Sequence, residues 1–226
     1  MDRFRVFTGK VSNNHTRTAW ILKCDIRKFF ANIDHAILLN IIRHHVDDPD
    51  TVWLLSEVIG SFYTDGKAGI GLPLGNLTSQ LLVNIYMNSF DHFMKRRLKV
   101  DHYIRYADDF VILHERKEYL ENLLPQIAQF LTARLHLGLH PDKVAIATLA
   151  SGVDFLGWVH FPHHRVLRTS TKRRMFRRIQ TRPTEIYASS YLSLLSHGNA
   201  YKLVKQVIAE IKGTSNFTRV VNANLL

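Results

Sequence analysis

In the first part of the chain, the apolar positions form first a continuous run, typical of a buried strand, and then a spacing typical of helices. Residues 19–26 are apolar at most positions, which predicts a buried strand. Asp34 then precedes apolar residues at helical spacing, so we expect it to cap a helix that runs to about residue 46. Asp48 and Pro49 predict the start of a second helix, because proline is favoured in the first helical turn.

The pattern continues with helices and strands in alternation. Four glycines and a proline within residues 64–75 predict a loop. The elements expected after this loop are a helix over 77–98, two short strands within 103–113 around a tight turn at 107–109, a helix over 115–135, a strand over 143–149, and a hairpin formed by 153–159 and 165–168.

Beyond residue 168 the strand patterns give way to basic, helix-prone segments. We therefore expect two domains, residues 1–168 and residues 169–226, with the boundary where the pattern changes. Strands and helices mixed in the first domain, followed by helices in the second, predict an α+β protein.

The charge of the chain points to a polyanionic partner. The 226 residues carry a net charge of +11, and eight Lys or Arg with no acidic residue lie between Arg165 and Arg182. Nucleic acid is therefore the expected partner. The single cysteine, Cys24, excludes an internal disulfide, and no apolar run is long enough to span a bilayer. We expect a cytoplasmic protein with no membrane partner.

Three carboxylates stand in apolar surroundings, where an unpaired charge is costly. Asp25 lies at the end of the first predicted strand, and Asp108 and Asp109 lie at the tight turn between two later strands. Adjacent carboxylates repel each other, and a divalent cation would remove that repulsion. Oxygen ligands favour magnesium or manganese over zinc. Taken alone, an Asp-Asp pair at a turn is more often an ordinary solvated turn.

Five motifs in chain order resemble those of reverse transcriptases. They are the segment 25–35 that begins with Asp, the Gly-Leu-Pro-Leu-Gly-Asn loop and the residues after it at 71–80, the Tyr-Ala-Asp-Asp turn at 106–109, the Leu-His-Pro-Asp-Lys segment at 139–143, and the Phe-Leu-Gly-Trp segment at 155–158. The resemblance implies the palm of an RNA-directed DNA polymerase, an antiparallel sheet with helices packed on one face. A short helical, thumb-like appendage would follow it.

The resemblance also implies how the metals would be held. Asp25 and Asp108 would bridge two metal ions, Mg²⁺ or Mn²⁺, with Asp109 assisting. The backbone carbonyl of Ile26 would be a further ligand. Phosphoryl transfer depends mainly on such positioning and charge neutralisation, because it needs little covalent chemistry from the protein.

Other matched positions would bind the substrates, which are an RNA template, a DNA or RNA primer and deoxynucleoside triphosphates. Phe30 matches a bulky gate against the ribose 2′-hydroxyl, and one of Phe29 and Phe30 is expected to lie in the core instead. Leu74 and Gly75 match a loop that positions template and nucleotide. Lys143 matches a lysine proposed to protonate or neutralise pyrophosphate.

The loop sequence also suggests a subfamily. Leu74 followed by Gly75 and Asn76 most resembles the enzymes of diversity-generating retroelements of bacteria and phages, which copy a template RNA with low fidelity. Residues 190–201 are similar to the tail of that group. Group II intron maturases and retron enzymes are the alternatives.

The N-terminal part departs from the family pattern. About 18 residues precede the strand of Asp25, where reverse transcriptases have a basic fingers region. We therefore expect a chain truncated at its N-terminus, or one that needs a protein partner to supply the fingers. The rival hypotheses are an inactive nucleic-acid-binding remnant and a subunit of a split enzyme. Metal-dependent nucleotide binding would separate a polymerase from a remnant.

Overall fold

The computed structural model describes residues 2–181 and 184–212. Within these ranges the helices are α1 (Asp2–Val11), α2 (His35–Arg43), α3 (Pro49–Gly60), α4 (Leu77–His92), α5 (Lys117–Leu135), α6 (Thr169–Thr181), α7 (Glu185–Leu195) and α8 (Tyr201–Lys212). The strands are β1 (Trp20–Asp25), β2 (Tyr103–Tyr106), β3 (Asp109–His114), β4 (Ala145–Thr148), β5 (Val153–Phe155), β6 (Trp158–His160) and β7 (Arg165–Leu167). None of the described helices is both long and apolar enough to cross a membrane.

The chain divides into two compact units, Met1–Thr148 and Leu149–Leu226. The sequence pattern places the boundary after residue 168, whereas β5–β7 group with the C-terminal helices. The physical reason is that β5–β7 form a sheet of their own. Moreover, the backbone N–H of Asn199, just before α8, donates to the carbonyl of Arg165 in β7 at 3.1 Å.

A four-stranded antiparallel sheet in the order β2-β3-β1-β4 forms the centre of the first unit. Successive side chains of a strand point to opposite faces of a sheet. Leu22 and Cys24 of β1 therefore enter the hydrophobic core, while Lys23 and Asp25 lie on the other face. The face of Leu22 and Cys24 thus packs against helices, while the other face carries charge near the end of β1 and the buried side chains of Ile21, Val111 and Leu113 farther along.

The core of the first unit joins this apolar face to helices α2, α4 and α5. Tyr86 and Phe90 of α4 and Leu131 of α5 are fully buried together with Phe110 and Ile112 of β3. Burial of such large apolar side chains is the main favourable contribution to folding. The α+β class predicted from the sequence is confirmed.

The helix starts follow the sequence expectations. Asp34 accepts hydrogen bonds from two backbone N–H groups in the first turn of α2, at 2.9 and 3.2 Å, and Asp48 accepts one from α3 at 2.8 Å. These bonds satisfy donors that have no partner within the helix. α2 ends at Arg43, earlier than expected. The predicted helix over 77–98 is α-helical to His92 and continues as a π-helix over Phe93–Arg97.

The second unit contains a turn that the pattern does not predict. A single strand over 153–159 is wrong, because β5 and β6 are separate strands paired across Leu156 and Gly157. These two residues have φ of 52° and 83°, the left-handed conformation that a two-residue hairpin turn requires. Leucine rarely adopts this conformation, so the sequence carried no clear signal of the turn. The expected hairpin across 162–164 is confirmed as β6 and β7.

Candidate active site

The three carboxylates lie at one end of the central sheet of the first unit. Asp25, the last residue of β1, is paired directly with Asp109, the first residue of β3. Residues directly opposite each other in an antiparallel pair have side chains on the same face. Asp25 and Asp109 therefore share the face that is turned away from the core.

Asp108 lies in the turn between β2 and β3. The turn places Ala107 at φ 53°, a left-handed conformation that is unfavourable for a residue with a side chain. The carbonyl of Asp108 accepts a hydrogen bond from the N–H of Ile26 at 3.1 Å, which fastens the turn to the end of β1. The predicted tight turn is confirmed, and its backbone is tied to the residue after Asp25.

The negative charge of Asp25 acts on the Asp108 carboxyl. Burial raises the pKa of the Asp108 carboxyl, and the negative charge of Asp25 raises it further, while Lys143 opposes the shift. A carboxyl whose ionised form is disfavoured by a second carboxylate is stabilised as an anion when a cation binds between them. The pair therefore has the electrostatic character of a cation site.

Lys143 supplies a positive charge to this cluster. Its Nζ donates to Oδ1 and Oδ2 of Asp25 at 3.2 and 3.1 Å. The backbone explains the placement, because the N–H of His140 donates to the carbonyl of Asp25 at 2.8 Å and the N–H of Arg27 donates to the carbonyl of Gly138 at 2.9 Å. These two bonds hold the segment before Lys143 against the end of β1.

A second lysine, Lys23, was not among the predicted site residues. Its Nζ lies 3.8 Å from Oδ2 of Asp109. The signal that could have revealed it is the period of two in a strand, which places Lys23 on the same face as Asp25. Asp109 therefore has a cationic neighbour of its own on this face.

Arg105 is also part of the structure around the turn. Its side chain is only 7% exposed. Its Nε and Nη2 donate to the two carboxylate oxygens of Asp91 at 2.9 and 2.6 Å, and its Nη1 donates to the carbonyl of Ala107 at 3.2 Å. No local sequence pattern links Arg105 to Asp91, which lies on α4.

The two phenylalanines after Asp25 divide as expected between core and surface. Phe29 is buried at 3% exposure, whereas Phe30 is half-buried and packs edge-on against it at 5.5 Å between ring centroids. The carbonyl of Phe30 accepts a hydrogen bond from the N–H of Leu72 at 2.8 Å. Phe30 is therefore the ring of the pair that is accessible to a substrate.

The predicted positioning loop is tied to this segment but its key residues are open to solvent. Leu74 is 80% exposed. Gly75 has φ 93°, and a Cβ added there would meet nothing within 4 Å. Besides the bond from Leu72 to Phe30, the loop bonds to the carbonyl of Ile33 through the N–H of Gly71. None of these bonds reaches Asp25, so Leu74 and Gly75 are not part of the carboxylate cluster.

The donor set of the cluster fits magnesium or manganese. Magnesium usually takes one or two protein carboxylates and completes its shell with waters and substrate phosphates. Asp25 and Asp108 offer two such carboxylates. Ile26 and Leu139 are paired in a β-bridge, and the hydrogen bonds of this bridge are made by the backbone groups of the neighbouring residues. The carbonyl of Ile26 therefore takes no part in the bridge. Over the described ranges, no group of three or more His, Cys, Asp or Glu is arranged as a metal site.

An antiparallel sheet with helices on one face and carboxylates at one end defines the polymerase palm class. Residues 3–160 match the family model described as reverse transcriptase (RNA-dependent DNA polymerase). The chain therefore belongs to the reverse transcriptase family.

Curated relatives agree with this assignment at the level of sequence. Protein YkfC of Escherichia coli is 27% identical over 219 residues, which covers 80% of this chain and 56% of that protein. The group II intron-encoded protein LtrA of Lactococcus lactis is 24% identical over 205 residues, covering 62% of this chain and 34% of that protein. The chain thus spans about half or less of the length of these relatives.

Solved structures agree at the level of fold. Telomerase from Candida albicans, in complex with a fragment of telomeric RNA, matches with a TM-score of 0.59 at 11% identity, over 96% of this chain and 43% of that chain. Apo telomerase from Candida tropicalis matches with a TM-score of 0.59 at 12% identity, over 93% of this chain and 44% of that chain. At these identities the likeness concerns the fold alone.

Proposed function

We propose that this chain carries the catalytic centre of an RNA-directed DNA polymerase. The observation that carries the proposal is the backbone bond that ties the turn of Asp108 to Ile26, the residue after Asp25, at the end of a palm-like sheet in a chain that belongs to the reverse transcriptase family. The substrates are an RNA template, a DNA or RNA primer and deoxynucleoside triphosphates. In the reaction the primer 3′-hydroxyl attacks the α-phosphorus of the nucleotide, and pyrophosphate leaves.

Asp25 and Asp108 would hold Mg²⁺ or Mn²⁺, with Asp109 and the Ile26 carbonyl as further oxygen ligands. Bound there, the metal would neutralise the triphosphate and favour deprotonation of the primer hydroxyl. Asp109 would assist the other two carboxylates, and the ammonium of Lys23 lies 3.8 Å from its Oδ2.

Lys143 places its ammonium group beside Asp25 and is mobile enough to turn towards a phosphate. Its side chain is 54% exposed, and its carboxylate contact is the weak kind that surface ion pairs make. In this proposal Lys143 neutralises or protonates the leaving pyrophosphate. Phe30, the half-buried ring of its pair, stands against the 2′-hydroxyl of the nucleotide sugar, and Leu74 and Gly75 approach the nascent base pair.

The second unit offers a surface for the phosphate backbone. On α6 the apolar residues Met175 and Ile179 are buried, and the basic residues are exposed. The exposed basic residues of this helix are Lys172, Arg173, Arg174, Arg177 and Arg178. Such a row binds nucleic acid without reading its sequence. It supports the thumb-like role proposed for residues 169–226.

The sequence of the loop that carries Leu74 supports a particular subfamily. Leu74 has an aliphatic side chain, which cannot hydrogen-bond to the incoming nucleotide. Together with Gly75 and Asn76, it supports placement among the diversity-generating retroelement enzymes of bacteria and phages, and it predicts low fidelity. Group II intron enzymes are the competing placement, and LtrA supports it as a relative.

Primer extension tests the polymerase activity. The purified chain is given a DNA primer on an RNA template with Mg²⁺ and deoxynucleotides, alongside Asp108→Asn and the control Asp47→Asn, which changes an exposed carboxyl. We expect extension by the unmodified chain and the control, and a loss of about 1000-fold or more in Asp108→Asn. Extension that is equal in all three proteins would refute the catalytic assignment. Salt-dependent nucleic-acid binding without extension would favour a binding remnant or a subunit of a split enzyme.

A further inference from the structure

Arg105 and Tyr103 of β2 both donate to one carboxylate of the first unit, that of Asp91. The planar fork of Arg105 contacts both carboxylate oxygens of Asp91, at 2.9 and 2.6 Å. The hydroxyl of Tyr103 donates to Oδ1 of the same carboxylate at 2.7 Å. Two-pronged contacts between arginine and carboxylate fix orientation as well as distance. Asp91, on α4, thus sets the position of Arg105, on β2.

The remaining guanidinium nitrogen points towards the turn that carries Asp108. Nη1 of Arg105 donates to the carbonyl of Ala107 at 3.2 Å and to Oδ1 of Asn84 at 3.3 Å. Ala107 has φ 53°, and non-glycine residues hold this conformation only where the surroundings determine it. The bond from Arg105 is one such constraint, and it acts on the residue immediately before Asp108.

The arginine of the ion pair is buried, and its partner Asp91 lies on α4, which packs into the core. The Arg105 side chain is 7% exposed, and Phe90, the residue before Asp91, is fully buried in the core. Burial opposes the positive charge of Arg105, but hydrogen bonds and attraction from Asp91 outweigh it and raise its pKa. Arg105 therefore remains a cation, and its position is set by α4.

We infer that Arg105, held by Asp91, is a positioning residue that fixes the β2–β3 turn so that Asp108 can hold a metal ion beside Asp25. The expected change in kcat rests on the proposed polymerase function. The expected change in metal affinity does not. The contact between Arg105 and the carbonyl of Ala107 is called the turn clamp below. The contacts of Arg105 are with Asp91, Asn84 and the carbonyl of Ala107.

Lysine cannot replace arginine in the turn clamp. A single ammonium on a flexible stem cannot contact both oxygens of Asp91 and also reach the Ala107 carbonyl in a fixed plane. Arg105→Lys therefore keeps the charge but releases the turn. Asp91→Asn keeps the shape of the anchor and removes its charge, so it should produce the same defect by releasing Arg105.

The first experiment measures single-nucleotide addition by the chain and its variants Arg105→Lys and Asp91→Asn. Arg43→Lys, at an exposed position of α2, is the matched control. We expect kcat to fall by about 10-fold or more in both variants, because loss of groups that orient metal ligands costs 10- to 100-fold. KM for the nucleotide should stay within about 2-fold, since the turn clamp makes no substrate contact. The double variant should be little worse than either single variant.

The second experiment measures Mn²⁺ binding by electron paramagnetic resonance and does not depend on activity. We expect Arg105→Lys and Asp91→Asn to bind Mn²⁺ about 10-fold more weakly than the unmodified chain and Arg43→Lys, at a temperature where all four are folded. If the unmodified chain extends no primer, the polymerase proposal fails. The Mn²⁺ affinities still show whether the turn clamp positions Asp108. Folded variants with unchanged Mn²⁺ affinity would overturn the inference.

Discussion

Nζ of Lys143 lies 3.1 Å from Oδ2 of Asp25, although 117 residues separate them along the chain. The contact joins the end of β1 to the turn before β4, and the bond from His140 N–H to the Asp25 carbonyl keeps the two together. A lysine thus lies beside a carboxylate that the proposed function assigns to a metal ion. The ammonium group and the proposed metal ion would compete for Asp25.

Removing this ammonium should change metal binding and catalysis in opposite directions. In Lys143→Met, Mn²⁺ affinity should rise by about 2- to 5-fold, because an exposed ion pair contributes less than about 1 kcal/mol. The rate of nucleotide addition should fall, since no ammonium then meets the leaving pyrophosphate. Calorimetric titration and single-turnover kinetics check the two effects, with Lys67→Met in the exposed loop as the control. Weaker metal binding in Lys143→Met would show that the ammonium does not compete.

Phe30 and Phe29 should respond differently to truncation. Phe30→Ala should lower the preference for deoxynucleotides over ribonucleotides by about 10-fold or more, because the half-buried ring would no longer exclude a 2′-hydroxyl. Phe29→Ala should lower the free energy of unfolding by about 3 kcal/mol or more, because the ring is buried in the core. Competition between the two nucleotide types and urea unfolding measure these effects. An unchanged nucleotide preference in Phe30→Ala would reject the gate.

Asp34 links the stability of α2 to pH. Burial works against its charge, but hydrogen bonds from the N–H of Ile37, from His136 and from the N–H of Ala36 outweigh burial and lower its pKa. A lowered pKa means that the carboxylate stabilises the fold above the unfolded value of 3.8 and that this stabilisation is lost as the pH falls through the folded value.

Asp34→Ala should therefore lower the free energy of unfolding by about 1 kcal/mol at pH 7. Asp34→Asn, which keeps a capping oxygen, should lose less. Urea unfolding across pH 7 to 3 checks the sign, because the difference between the unmodified chain and Asp34→Asn should shrink as the pH falls below 3.8. A difference that grows towards acid pH would contradict the assignment.

Gly198 has no room for a side chain. A Cβ there would overlap the indole ring of Trp158, with Cε3 at 2.8 Å, and that ring is fully buried within the second unit. Gly198→Ala should destabilise the second unit by about 1–3 kcal/mol through overpacking. Gly138→Ala is the control, because a Cβ at Gly138 meets nothing within 4 Å. Equal unfolding midpoints for the two variants would show that this packing is not as described.

Local chemistry explains which parts of the fold could be predicted. Asp34 and Asp48 each stand directly before a clear helical pattern, and both cap helices. The strand of Asp25 and the turn of Asp108 were also predicted, because apolar runs with an embedded acid are rare outside such sites. The helix α1 was not predicted, since its sequence is polar and mixed.

Long-range contacts explain what could not be predicted. Arg105 and Asp91 meet because β2 packs beside α4. Their spacing along the chain does not predict this contact. Leu156 adopts a left-handed conformation that its residue type disfavours. Lys23 could have been placed on the face of Asp25 by strand periodicity, but its contact with Asp109 depends on the register between β1 and β3.

Binding of Mn²⁺ to the folded chain tests the central claim most directly, because it asks whether Asp25 and Asp108 form one cation site. The measurement compares the unmodified chain, Asp25→Asn, Asp108→Asn and the exposed control Asp47→Asn by electron paramagnetic resonance. We predict that each of the first two substitutions weakens binding by about 10-fold or more and that the control does not. Binding that survives both substitutions unchanged would contradict the account.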